Sequence, residues 1–384
     1  MTNIKYKTAY GVKFFFKISI LLFTFSLINC KEHKKMEEKF NWSGGICAPK
    51  EYQMQCYYGQ IIADDYQYDY SDIVGTVNQG WGSYGEAMGT SDGLHEIPHT
   101  LEFTWYSVVE DKFYAGHWEL DTEKIGRLFK EGFIQNNFDN FKKGTYDTFI
   151  VGLAPKGRLI LWMYGNRSQI EVGSFQGKEI KITKEEAYED FQYIFKPYYR
   201  NEMLKDIPNG GLTDPLVYSR IQRYGYPDPK IYDDYREKFN WRLQLILPKD
   251  NTLRWRYLEM CNGEKERTIE NNTSIILPYA KRAIPYYFEL AWRENAKGEK
   301  FSSQIAFTGN TEYIRQANKK YNGPFLPWDF YESQIYLLFK EKLDRTAPID
   351  IVVDVSSNKD AKVYVEQNGK QYPITQMNKY VEPD

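Results

Sequence analysis

Two segments of this 384-residue chain carry residue types at spacings that could do chemistry. His95-Glu96-Ile97-Pro98-His99 fits H-E-x-x-H, in which two imidazoles four apart on one helix face hold zinc and the Glu acts as general base. That chemistry needs a helix. Pro98 would remove a helical hydrogen bond and clash with the preceding turn, and the residues that follow alternate as a strand. The segment therefore reads as the entrance to a strand, with no metal expected. Gly80-Trp81-Gly82-Ser83-Tyr84-Gly85 fits G-x-G-x-x-G, which cradles a pyrophosphate only between a strand and a helix N-terminus. Gly89 and Gly93 follow too soon for a helix, so no nucleotide cofactor is expected and the glycines shape a loop.

That loop is the best binding candidate. Tyr66, Tyr68 and Tyr70 alternate with Gln67 and Asp69, which puts three rings on one face of an extended strand. With Trp81 and Tyr84 they would form an aromatic surface suited to a glycan, a peptide or an envelope protein. Glu102 and Glu289 recur on the polar face of two similar strands. A general acid–base pair must converge on one cleft, so these read as solvated or ion-paired, and no catalytic residue is assigned. Cys47 and Cys56 flank Pro49; an oxidising compartment would permit a bridge, which the sequence leaves open. Cys261 would stay single and buried.

Composition narrows the classes. Lys plus Arg number 50 against 52 Asp plus Glu, so no basic footprint for nucleic acid exists. Aromatic residues make up 17%, too many for a disordered chain, and four His leave little for a His-based catalytic network. The N-terminus reads as an address. Lys5, Lys7, Lys13 and Lys17 precede the apolar run Ile18 to Ile28, which is too short to span a bilayer. Leu27-Ile28-Asn29-Cys30 resembles a bacterial lipobox, although Asn29 stands where a smaller residue is usual. Residues 1–29 are then a lipoprotein signal peptide, Cys30 the lipidated residue, and 30–37 a solvated tether. Lys31 after the Cys favours the outer membrane, so the expected location is the cell envelope, with the membrane as partner through the lipid.

The remaining chain is written twice. Glu38-Lys39-Phe40-Asn41-Trp42 returns as Glu237-Lys238-Phe239-Asn240-Trp241, an offset of 199. Ile97-Pro98 with Leu101, Phe103 and Trp105 returns as Ile284-Pro285 with Phe288, Leu290 and Trp292, an offset of 187. An internal duplication predicts two tandem, mainly β (α+β) domains of antiparallel sheet or sandwich type, residues 38–182 and 237–384. Each should carry about one helix: in the first copy capped by Asp121 or Thr122, in the second opening at Asn310 or Thr311. Pro49 and Pro248 should lie between strands of a hairpin or meander. Residues 183–236 form the connector. Thr183-x-x-Glu186 is a capping box predicting a helix to Lys196, and a Tyr/Pro-rich loop follows Pro197.

The Phe-Asn-Trp strand, the Ala48-Pro49-Lys50-Glu51-Tyr52 turn, Tyr57-Tyr58-Gly59, Gly80-Trp81-Gly82, Trp105 and Glu110-Asp111-Lys112-Phe113-Tyr114 together resemble domain of unknown function 2931, a bacterial family of lipoproteins. The resemblance is clearest over residues 38–130 and fainter in the second copy. It implies a lipoprotein and no particular activity. The best-fitting expectation is a non-catalytic binding or accessory lipoprotein of unknown ligand. The alternatives are an inhibitor or immunity-type lipoprotein against a secreted toxin or hydrolase, and an envelope hydrolase using carboxylates.

Overall fold

The computed structural model describes residues 38–383 except positions 72, 74, 88–92, 138–139, 270–275, 295–296, 309–327 and 356–359. The segments expected as signal peptide and tether, with Cys30, lie outside the described residues, as does the helix start expected at Asn310 or Thr311. Phe40–Asp384 is one compact unit.

The first half runs β1 (Ser43–Cys47), β2 (Met54–Ile62), β3 (Gln67–Asp69), β4 (Thr76–Val77), β5 (Glu86–Ala87), β6 (Thr100–Ser107) and β7 (Lys112–Glu119). Helix α1 (Thr122–Glu131) follows, then β8 (Phe133–Asn137), β9 (Asn140–Gly144), β10 (Thr148–Ala154), β11 (Arg158–Gly165), β12 (Ser168–Gln176) and β13 (Lys178–Ile180). The connector holds a 3-10 turn (Glu189–Phe195) and helices α2 (Tyr199–Met203), α3 (Pro215–Tyr224) and α4 (Ile231–Asp234). The second half runs β14 (Phe239–Ile246), β15 (Asn251–Met260), β16 (Lys265–Ile269), β17 (Ala280–Arg282), β18 (Pro285–Glu294) and β19 (Lys300–Phe307). Helix α5 (Gln334–Glu341) precedes β20 (Ile349–Val355), β21 (Ala361–Gln367), β22 (Lys370–Ile374) and β23 (Met377–Pro383).

The protein is mainly β, and among the described residues its strand pairs are antiparallel except two, β1 with β10 and β14 with β20. Alternation does what the sequence implies: Leu101, Phe103 and Trp105 are buried on β6, as are Phe288, Leu290 and Trp292 on β18. Asp121 caps α1 by accepting the Lys124 N–H at 2.9 Å, and Ile125, Leu128 and Phe129 turn into the core.

Three local expectations change. Pro49 and Pro248 do not sit in hairpins. The chain leaves β1 in the ten-stranded sheet and enters β2 in the six-stranded one, just as β14 and β15 lie in different sheets. A residue without an N–H suits the point where a strand quits one ladder for the facing layer. The capping box forms, with Thr183 N–H donating to Glu186 at 2.9 Å, yet no α-helix follows. Tyr188 is instead pulled into extended backbone, where its ring stacks on Tyr57 at 4.7 Å and its N–H donates to the Tyr57 hydroxyl. Beyond Pro197 the expected loop contains three short helices, the longest opened by Asp214 as N-cap and Pro215 as first residue.

The two halves share a sheet. The ten-stranded order is β23-β19-β18-β15-β16-β12-β11-β10-β1-β5, and β12 meets β16 through Gln169 and Lys265. The first half's other layer is β13-β7-β6-β2-β3, and the second half's is β17-β14-β20-β21-β22. One hydrophobic cluster runs through both halves. A second, smaller one seats the connector on the outer face of β6 and β7, through Tyr106, Phe113, Ile194 and Tyr199.

Candidate functional site

Pro49 turns the chain so that Lys50 and Glu51 point into the junction of first half, connector and second half. Glu51 is buried and accepts the Tyr232 hydroxyl of α4 at 2.5 Å. Next to this turn runs the glycine loop. Gly80 N–H donates to Ala48 at 2.9 Å, Gly82 and Gly85 adopt positive φ, and Glu86–Ala87 then joins β1 as an edge strand. The glycine run thus leads directly into a strand, where a pyrophosphate-binding turn would lead into a helix N-terminus. Its glycines serve contact instead. A Cβ on Gly82 would stand 2.4 Å from the Gly263 Cα of the second half, and one on Gly85 would stand 2.1 Å from the Ile46 carbonyl oxygen. Gln169 straps the approach by donating to both the Gly82 and Gly263 carbonyls.

The expected aromatic surface does not exist. Tyr68, Tyr70 and Trp81 are buried and Tyr66 is half-buried. Tyr70 donates to the Phe149 carbonyl at 3.0 Å, and Tyr66 stacks on His95 and meets Trp42 edge-on. Trp81 wedges between Trp162 and Tyr232, each at 5.1 Å. The alternation of rings was real, but the face they share is the inner one, packed on β1 and β10. Tyr84 alone stands out, 43% exposed and steadied edge-on by Tyr164 at 4.8 Å.

Tyr84 lines a cleft of about 390 Å³ between the glycine loop and the connector, a volume in the range of small-ligand sites. Asn78, Gln79 and Ser83 contribute polar groups, Ile207 and Leu212 an apolar wall, and Lys50 and Asp214 a pair of opposite charges. Burial pushes the Lys50 ammonium below its usual range, opposed by the charges of Asp214 and Glu51. Asp214 also accepts the Leu216 N–H, and Asn78 donates to the Leu212 carbonyl, so connector and loop are tied across the cleft. The Asp214-Pro215 helix start was the legible signal for this wall.

The other candidates are scattered. His95 bridges Phe40 as extended backbone, so the H-E-x-x-H segment is not helical. His99 contacts Thr100 and Asp64, and no group of three or more metal-ligating side chains occurs among the described residues. Glu102 contacts His117 Nδ1 at 2.6 Å and accepts the Tyr58 hydroxyl at 3.3 Å, on the outer face of β6 and β7. Glu289 is ion-paired with Arg167 from the β11–β12 turn. The two glutamates do not converge. Cys47, Cys56 and Cys261 are free and buried, and burial pushes the Cys47 thiol up to about 11 and the other two higher still.

Fold and cleft define a two-layered, mainly β protein with a small cleft beside its connector. Residues 29–210 match the family model described as protein of unknown function (DUF2931), and this N-terminal region of the chain belongs to that family. The matched span holds the glycine loop and Ile207, while Leu212 and Asp214 lie just beyond it. No curated protein and no solved structure matches the chain. Among the described residues no helix is long and apolar enough to cross a membrane.

Proposed function

We propose that this chain is a cell-envelope lipoprotein, anchored through Cys30 and sorted by Lys31 to the outer membrane, that serves as a non-catalytic binding or accessory module. The observation that carries the binding role is the cleft. Tyr84 and Ile207, 43% and 48% exposed, belong to the small set of large apolar side chains left in solvent, and both line it. The lipobox-like run and the basic start support the anchor.

We also read the two halves as diverged copies of one domain. Trp42 donates to the Glu96 carbonyl at 2.9 Å, and Trp241 donates to the Ala283 carbonyl at 3.0 Å, each just before an Ile-Pro pair. Phe40 packs on Phe129 of α1, and Phe239 on Phe339 of α5.

The test is a pull-down from native envelope extract with the full chain in detergent, beside Tyr84→Ala. A stoichiometric partner lost with the variant supports the reading, and its identity names the role. A partner retained equally by the variant, or none together with no ligand-induced melting shift, defeats the cleft as the site. Mass spectrometry of the purified chain should find diacylglycerol on Cys30; an unmodified, uncleaved N-terminus would remove the anchor.

A further inference from the structure

A second cavity, larger than the cleft, lies elsewhere, on the outer face of the first half, where the connector crosses the β6–β7 turn and β13. It encloses about 730 Å³ and is independent of the cleft. Its apolar part comes from Phe113, Ile182 and Ile194, with Ile180 left exposed beside them. Around them stand four cations (Lys112, Lys181, Lys196 and Arg200) and only two carboxylates, Asp111 and Glu179.

Both carboxylates are engaged. Glu179 pairs with Lys112 at 2.7 Å, and Asp111 accepts the Tyr106 hydroxyl at 2.6 Å. Arg200 is half-buried and spends its Nε and Nη2 on the Val108 and Val109 carbonyls at 2.8 and 2.6 Å. These bonds fix the guanidinium in place without neutralising it. Among the described residues, Arg200, Lys181 and Lys196 form no ion pair. The Glu186 carboxylate near Lys181 is occupied by the Thr183 N–H. A groove with an apolar floor and surplus positive charge, one of its cations immobilised, fits a ligand that is acidic at one end and greasy at the other.

We propose that this groove binds a free anionic amphiphile. Its phosphate or carboxylate lies among Lys181, Lys196 and Arg200, and its short apolar chain lies on Phe113, Ile182 and Ile194.

The test is calorimetric titration of hexyl phosphate into the full chain in phosphatidylcholine nanodiscs, with empty nanodiscs as blank. Binding should weaken about tenfold in Lys181→Glu/Lys196→Glu and severalfold in Ile180→Asp, whose side chains are exposed and whose melting temperatures should match the parent. No heat beyond the blank, or equal binding by the charge-reversed variant, overturns the proposal. So does equal affinity for inorganic phosphate, which would mean an anion site alone, or for hexyl glucoside, which would mean an apolar site alone. Phosphatidylglycerol nanodiscs that abolish hexyl phosphate binding through the same lysines would assign the groove to a bilayer headgroup and overturn the free ligand.

Discussion

Glu51 is a carboxyl that water does not reach, at the point where three parts of the chain meet. Burial raises its pKa to about 7; the Tyr232 hydroxyl and the Lys50 charge pull it down, and nearby Asp329 pushes it up. Asp329, also buried, is raised to about 6. A raised acid binds its proton more tightly in the folded chain than in the unfolded one. Its burial is therefore tolerated fully below its ordinary value of 4.5, and stability is lost as pH climbs from there through about 7. Replacing Glu51 by Gln, which keeps an acceptor for Tyr232, should leave denaturation at pH 4 nearly unchanged. At pH 8 it should raise stability by about 3 kcal/mol. Urea denaturation at the two pH values checks this, and an equal effect at both would refute it. Single residues were only partly legible. The Tyr66, Tyr68 and Tyr70 stripe gives the strand its period but not which face is inside, because that depends on a layer in which β1 is paired with β10 from far along the chain. The H-E-x-x-H segment enters as extended backbone at His95, as its proline implies.

Elements were read best where local and tertiary signals agree. The Asp121 cap and the Ile125, Leu128, Phe129 stripe made α1 visible, and the alternation in β6 and β18 made those strands visible. The Thr183 box was misleading because Tyr188 gains more by stacking on Tyr57 than by continuing a helix. Helix α3 was missed because its surroundings are rich in Pro and Tyr, although Asp214-Pro215 is a sound start signal. Asp214 has two roles, capping α3 and facing Lys50. Asp214→Ala should cost about 1 kcal/mol from the lost cap. Asp214→Asn keeps a capping oxygen and should recover most of that loss. Thermal melting of both variants distinguishes them, and equal destabilisation would mean that the charge, not the cap, dominates.

At the scale of the whole molecule, repetition predicts two beads, while the described chain is a single body. No pattern within one half reveals that β12 will meet β16, that Gly82 will touch Gly263, or that Arg167 will seek Glu289 across the halves. Those contacts depend on surface complementarity between the halves, which neither periodicity nor spacing records. Arg236 adds another strap, reaching Glu171 on β12 from the end of the connector. Denaturation should therefore follow one cooperative transition, with near- and far-ultraviolet circular dichroism coincident. Two separated transitions would show that the shared sheet contributes little.

The parallel pairing of β1 with β10 also sets a timetable. Ser43 lies beside Thr148, so the first strand of the fold has no neighbour on that side until β2 through β9 have been made. Its other neighbour, β5, is only two residues long. A chain synthesised or threaded from its N-terminus thus cannot complete its central sheet early. Pairing β1 with β10 closes a long loop, so this contact should form after local hairpins such as β6 with β7 have paired.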